Sequence, residues 1–521
     1  MNILFLAFET EAFPMAHLAM RFKSKGHGVF VLSCDHYNVT HSRGEVFHFY
    51  RKIGLTESEF GNFESIYKEL NSLPEDLPDH AVDWDYLRTF EAHYCKYFTL
   101  LEMVAMDPLM SGAYHHRTIY YRPRNKALLF KYLELQTRYL ESLFTRSRFD
   151  CVFSINYQYF VKAAVFTMAH ASGIPYLAAS SCRIKDLYAI SDNFNIGTTR
   201  AVLAEMKRLE DAGDPCFDAT GFFDWLKRER SGAYYDFDRE MATAAMQQPL
   251  SARLKEIWWW LTRYPRRVLF INKHYRGMMR RNYFLPNYLA CVRLLIVALW
   301  RRVGYFRCPE LTRTDLPTEP FVFFPLHFIP ENTVLTLSKT FDEMECIFQL
   351  AKALPADWKV VVKVNPAMLT TSFDTHPNSY FLAINRLPNV QFIHPSTPSA
   401  EIIDKASAVA TLTGTALFEG AAFDKPGFRW GRMEFEVVDT VYPFQPRKVR
   451  EQLQQGVSGN LPYYIQACFN LGLRLDVRLL CEPRETMTRE QAAEFERQMS
   501  GLEKKILEYV AIETKTTEVI V

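Results

Sequence analysis

AVATLTGTALFEGAAFDKPGFRWG, residues 408–431, reads as a strand, a tight turn and a helix with almost nothing between them. The strand covers 408–412, Thr413-Gly414-Thr415 make the turn, and the helix covers 416–423. A strand that breaks on small residues straight into a helix leaves the helix's first backbone N–H groups without partners. Together with the threonine hydroxyls, those groups suit a phosphate. Glu419 falls one helical turn in, on the face of Thr415, and a carboxylate there can hold ribose hydroxyls. The same residues also suit a plain strand–turn–helix capped by a threonine.

Upstream the device recurs. FVFFPLHFIPENT (321–333) is a buried strand running into Pro325, Leu326 and His327, with Glu331 beyond and a helix expected over 332–353. VVVKVNPAM (360–368) continues a strand over 359–364 tipped by Lys363 and Asn365. VQFIHPSTPSAEII (390–403) makes a strand over 389–393, then His394-Pro395, then Ser399 opening a helix over 399–406. Strands alternating with helices build a doubly wound parallel sheet, whose ligands gather at the carboxyl ends of the strands. Four strand ends bearing His, Lys/Asn, His and Thr-Gly-Thr form a convergent polar rim. Residues 316–445 are therefore expected as a nucleotide-binding α/β domain. His327 suits donation to a phosphate or a sugar carboxylate, and a hydrogen-bonded loop histidine is the plainer alternative.

The first 200 residues repeat the theme. Residues 2–8 read as a strand, 16–25 as a helix ended by Gly26 and Gly28, and 29–33 as the next strand, a βαβ opening. No GxGxxG follows the first strand, so the dinucleotide fingerprint is absent. Residues 45–145, rich in aromatics and helix formers, are expected as a helical insertion. FDCVFSINYQYF (149–160) reads as strand and polar loop, 161–172 as a helix closed by Gly173-Ile174-Pro175, and 176–179 as a returning strand. Asn156, Gln158 and Ser180, at carboxyl-end positions, are candidates for the acceptor side of a cleft. Residues 201–315 are expected as a helical linker and 446–521 as C-terminal helices.

At 521 residues the chain is too long for one core. Its 61 basic and 59 acidic residues leave a net charge of +2, which disfavours nucleic acid as a partner. Ten cysteines without a CxxC argue for reduced thiols and against a structural metal. MNILFLAFETEAF carries Glu9 and Glu11 and no basic leader, so it reads as a strand and not a signal peptide, and a cytoplasmic protein is expected. The charge is unevenly placed: residues 253–307 hold thirteen Arg or Lys against Glu256 alone, interleaved with tryptophans and tyrosines. Arg266, Arg267, Arg280, Arg281, Trp258 and Trp259 there suggest peripheral docking on the inner face of a membrane. A groove for an anionic polymer and a solvated linker are the competing readings.

The succession PLHxxPEN, KxNP, HP-S-T-P-S-AEII and TGTALFEGAAFDKPGFRWG resembles the capsule polysaccharide biosynthesis family, which includes retaining β-Kdo transferases of the GT-B type. The resemblance covers about 321–431, and ASSCRIKDLYAISDNFNIGTT (179–199) is similar in placement to the family's acid-bearing loop. Ile329 stands where glutamine is usual, Asn365 where histidine is, and Ala416-Leu417 precede the retained Phe418-Glu419. The resemblance implies two Rossmann-like domains facing a cleft, with a helical basic insertion. It implies a nucleotide-sugar donor, CMP-Kdo or similar, held by His327, Glu331, Lys363, Asn365, His394, Ser399, Thr413, Gly414, Thr415 and Glu419, with no resident cofactor or metal.

The acceptor implied is a lipid-linked glycan of capsule or lipopolysaccharide, with polysaccharide assembly and export proteins as partners. For a retaining transfer the candidate acids are Asp186 and Asp192, on the loop after 176–179, with Arg183 and Lys185 placed to meet a donor carboxylate. A nucleotide-sugar epimerase or hydrolase of the same architecture is a second reading, and a non-catalytic nucleotide-sugar-binding assembly protein a third.

Overall fold

The structure is a computed structural model of the 521-residue chain. It describes all residues except 9–10, 35–44, 75, 108–125, 156–158, 185, 193–197, 230–249, 263–287, 328–330, 341, 370–376, 455–458, 482–485 and 519–521.

Strands β1 (Asn2–Ala7), β2 (Gly28–Ser33), β3 (Phe60–Gly61), β4 (Cys151–Ser154), β5 (Tyr176–Ser181) and β6 (Leu187–Ser191) belong to one sheet. Strands β7 (Phe321–Pro325), β8 (Lys359–Lys363), β9 (Val390–Ile393), β10 (Ala408–Thr411), β11 (Gly427–Arg429) and β12 (Val441–Pro443) make a second. A late strand, β13 (Leu473–Arg474), returns to the first. The second sheet runs β9-β8-β7-β10-β11-β12 and is parallel throughout. The first runs β13-β6-β5-β4-β1-β2-β3 and is parallel from β5 to β3. Both are Rossmann-like. Parallel strands covered on both faces are written as unbroken apolar runs, which is why NILFLA and FVFFP were legible. Beyond Asn2, every residue of β1 is buried.

In each sheet the chain leaves its first strand in one direction and later returns to that strand's other side. The switch points lie between β1 and β4 and between β7 and β10. Right-handed crossovers put the helices after those two strands on opposite faces, which opens a crevice at the carboxyl edge.

Several elements differ from the sequence reading, among them strand β3 inside the expected helical insertion. The helix expected over 332–353 is two, Asn332–Leu337 and Glu343–Ala353. Ser338 turns to extended backbone, ending the first helix, and bridges to Gly431; Asp342 caps the second, accepting from the N–H groups of Met344 (3.0 Å) and Glu345 (3.3 Å). The loop expected after β5 is a hairpin, with β6 returning antiparallel to β5. The C-terminal segment does more than form helices: β13 pairs with β6, and helix Arg489–Glu518 lies against helix Ala12–Ser24 through Arg21–Glu503 (3.0 Å) and Lys25–Glu503 (2.7 Å).

Candidate functional site

The crevice between β7 and β10 holds a buried polar cluster. His327, just past β7, donates its backbone N–H to Glu343 Oε1 (2.8 Å), and the same oxygen lies 2.9 Å from its Nδ1. This contact fixes Nδ1 as the protonated nitrogen and leaves Nε2 facing the hydroxyls of Thr411 (3.4 Å) and Thr413 (3.5 Å). All four side chains are buried, Glu343 and Thr411 almost completely. Burial works against a charged imidazole. The hydrogen bond and charge of Glu343, with Glu331 farther off, outweigh it and raise the pKa above the ordinary histidine value, while the charge of Arg183 acts the other way.

The turn after β10 closes on this cluster. A Cβ on Gly414 would lie 2.9 Å from Thr411 Oγ1 and 3.3 Å from His327 Nε2, so a side chain there would push into the cluster. Gly431 is packed harder: a Cβ would meet Thr413 Cγ2 at 2.5 Å and the Leu337 and Leu412 carbonyls at 3.0 and 3.1 Å. Thr415 has helical backbone angles and its side chain makes no cap, so the capping alternative is not what the structure contains.

One strand over, Lys363 at the tip of β8 donates to Ser399 Oγ (2.9 Å). Burial pulls its pKa from 10.5 down to about 8, opposed by the charge of Glu419. His327, Lys363, Ser399, Thr413, Gly414 and Glu419 therefore share one neighbourhood. His394 is not tied to it. Its ring is held by Ser396 Oγ (2.5 Å) and leans on Phe306 at 5.6 Å, at the tip of the sheet's edge strand. Asn365 starts the turn Pro366–Leu369, its carbonyl accepting from Met368 N (2.9 Å).

The carboxyl edges of the two sheets meet at Arg183 and Glu434. Arg183 Nε and Nη2 donate to the two oxygens of Glu434 at 3.1 and 3.2 Å, with the side chains 10% and 7% exposed. Thr198 Oγ1 donates to the Glu434 carbonyl (2.6 Å). Arg183 sits in the tight turn of the β5–β6 hairpin at φ 60°, a left-handed position rare for a side-chain-bearing residue.

The two proposed acids separate. Asp186 is exposed in that turn at φ 56° and stays at the carboxyl edge. Asp192 does not, and this corrects its expected place: antiparallel β6 pairs Ser191 with Ala178, carrying Asp192 roughly 10 Å back from that edge at about 3.3 Å per residue. There Asp192 accepts from Tyr509 OH (2.6 Å) and lies 3.8 Å from Arg200. Ser180 is buried within β5. Asn156, Gln158, Lys185, Arg266, Arg267, Arg280 and Arg281 lie outside the described residues, as does the Trp259 side chain, whereas Trp258 is exposed.

The sequence reading missed three acids. Glu343 was hidden by the helix break and Glu434 lies beyond the quoted motif. The third, Glu11, pairs with Lys162 at the other switch point. Lys162 Nζ donates to Glu11 Oε2 (2.7 Å), which also accepts from Phe8 N (3.0 Å), and Lys162 is fully buried. The signal was present: Lys162 is the one Lys or Arg in FVKAAVFTMAHA. Among the described residues no cluster of three His, Cys, Asp or Glu is placed to hold a metal.

No protein-family model matches the chain, and no curated protein matches it. Among solved structures it is similar to the β-Kdo 2,4 transferase of Thermosulfurimonas dismutans KpsC, at 12% identity over 61% of this chain and 79% of that one, with a TM-score of 0.33. The β-Kdo 2,7 transferase of the same protein gives 10% identity, 64% and 80% coverage and a TM-score of 0.29. The UDP-GlcNAc 2-epimerase of Neisseria meningitidis gives 11% identity, 90% and 94% coverage and 0.23. These likenesses are weak, and the functional reading rests on this chain's own residues.

Proposed function

We propose that this chain is a GT-B-type glycosyltransferase that moves an acidic sugar, Kdo or a relative, from a nucleotide-activated donor onto a lipid-linked surface glycan. The observation that carries the reading is the β7/β10 crevice. A buried histidine held by a carboxylate, a glycine turn packed against it, and a lysine of lowered pKa one strand away stand at the carboxyl ends of the neighbouring strands β7, β10 and β8. Such a crevice is where doubly wound sheets take nucleotides. The resemblance of PLHxxPEN, KxNP and TGTALFEGAAF to the capsule polysaccharide biosynthesis family implies a CMP-linked donor.

In this reading Lys363 and the turn at Thr413–Thr415 meet the donor phosphate, and Glu419 meets the ribose. Raised pKa keeps His327 able to donate from Nε2 as charge builds on the departing phosphate oxygen. The acceptor enters from the N-terminal sheet. Its hydroxyl oxygen bonds to the anomeric carbon as its proton passes to the Asp186 carboxylate at the carboxyl edge, the bond from that carbon to the phosphate oxygen breaks, and the nucleotide leaves with the electron pair.

The test is a panel of CMP- and UDP-sugars, following nucleotide release with and without a glycolipid acceptor. Acceptor-dependent release from a CMP-sugar supports the proposal. Tight binding with no release under any condition would assign the chain to the non-catalytic class, and a rearranged UDP-sugar to the epimerases.

A further inference from the structure

Two helices of the basic segment are described, Leu250–Thr262 and Tyr288–Phe306, and they pack against each other. On the first, Leu254, Trp258 and Leu261 recur at spacings of four and three, which puts them on one face, and they are 54, 68 and 43% exposed. On the second, Ile296, Val297 and Trp300 are 43, 49 and 71% exposed. These six are half of the twelve large apolar side chains exposed among the described residues, on helices of only 13 and 19 residues. Soluble surfaces scatter such groups singly, so their concentration calls for an occupant.

Charge identifies the occupant. Residues 253–307 carry thirteen basic residues against one acid, in a chain whose net charge is +2. Lys255 and Arg307 are exposed on the described parts. No described helix is long and apolar enough to cross a membrane. Tyr288–Phe306 would reach about 28 Å at 1.5 Å per residue, but Arg293, Arg301 and Arg302 interrupt it.

The pair is also fixed beside the candidate site. Buried Arg301 donates from Nη2 to the Met368 carbonyl (2.5 Å), and Asn378 Nδ2 donates to the Arg301 carbonyl (2.9 Å). Met368 belongs to the turn directly after β8, the strand tipped by Lys363.

We propose that this helix pair docks on an anionic lipid bilayer. Trp258, Trp300 and their apolar neighbours sit at the acyl boundary, Lys255 and Arg307 lie among the headgroup phosphates, and the carboxyl edge of the C-terminal sheet is held at the membrane surface. The inference does not depend on the sugar chemistry.

The test is co-sedimentation of the full chain with phosphatidylcholine vesicles, with and without phosphatidylglycerol, across ionic strength. The expected result is binding that requires phosphatidylglycerol and weakens with salt. It should fall by about tenfold or more in Trp258→Ser/Trp300→Ser, whose unfolding midpoint should match the unsubstituted protein. Equal binding to neutral vesicles, or unchanged binding by the double variant, overturns the proposal. So does self-association in solution that the double variant abolishes without vesicle binding, which would make a second copy of the chain the occupant.

Discussion

Lys363 offers the sharpest test of the proposed phosphate site, because its charge can be switched by pH. Its pKa of about 8 means that most of the free protein carries the ammonium near neutrality. One pH unit above the pKa only about a tenth does, so nucleotide affinity should fall up to about tenfold between pH 7 and 9. Lys363→Met deletes a charge-assisted hydrogen bond worth about 1.5–3 kcal/mol, weakening binding near neutrality by about 10- to 150-fold and flattening the pH dependence. Calorimetric titration with CMP and UDP reads both effects, together with the uptake of a proton on binding above pH 8. A flat affinity profile in the unsubstituted protein, or a pH dependence that survives Lys363→Met, would show that no phosphate meets this lysine.

The same shift makes an independent claim about stability. The folded pKa lies below the unfolded value of 10.5, so between about 8 and 10.5 the unfolded chain binds more protons. Stability therefore rises with pH across that window, by an amount on the order of 3 kcal/mol at 1.36 kcal/mol per unit. Below pH 8 the penalty of enclosing the charge is fully present. Lys363→Met should lack the rise and be more stable than the unsubstituted protein near neutrality while binding nucleotide worse, the trade-off expected of a functional charge. Urea midpoints of the two proteins against pH separate this from other groups titrating in the range.

Four further outcomes follow from contacts already described. Glu434→Gln leaves the Arg183 guanidinium enclosed without its carboxylate and should cost about 3–5 kcal/mol, with most of it recovered in Arg183→Met/Glu434→Leu; calorimetry showing an unshifted midpoint in the single variant refutes the pairing. Glu11→Leu should cost a similar ~3–5 kcal/mol through buried Lys162, and Glu11→Leu/Lys162→Met should lie near the unsubstituted protein in denaturant midpoint. Gly431→Ala should cost about 1–3 kcal/mol, since two of the three contacts its Cβ would meet are backbone oxygens that cannot swing away, and should weaken nucleotide binding through Thr413. Asp186→Asn should lower acceptor-dependent turnover, whereas Asp192→Asn should leave turnover per folded molecule unchanged and shift the midpoint through the Tyr509 contact; the reverse pattern would refute the assigned edges.

The legible half of the site was written in a code that parallel sheets impose. A strand buried on both faces needs a continuous apolar run, and its carboxyl end is the first place a polar residue can stand. That is why the positions of His327, Lys363 and Thr413 at the ends of their strands are legible in the sequence. What stayed hidden depends on events with no local period. Glu343 reaches His327 only because Asp342 starts a new helix, and a periodic reading of 332–353 runs straight through that break. Glu434 finds its partner 251 residues away, across two sheets. β6 was missed because LYAIS alternates buried and half-buried positions with little alternation in polarity, so its period of two is faint.

That faint strand has the largest consequence for chemistry. In a parallel sheet any acid after a strand is automatically at the ligand-binding edge, and the reading of Asp186 and Asp192 as equivalent used that rule. One antiparallel strand breaks it: Asp186, in the turn, keeps the edge, and Asp192, five residues past β6's start, is carried away to a tyrosine on the last helix. The hairpin also forces Arg183 into a left-handed turn and aims it at Glu434, so the element that removes one candidate acid builds the link between the two sheets. Strand direction, more than the identity of the acids, decides which of them stands at the carboxyl edge.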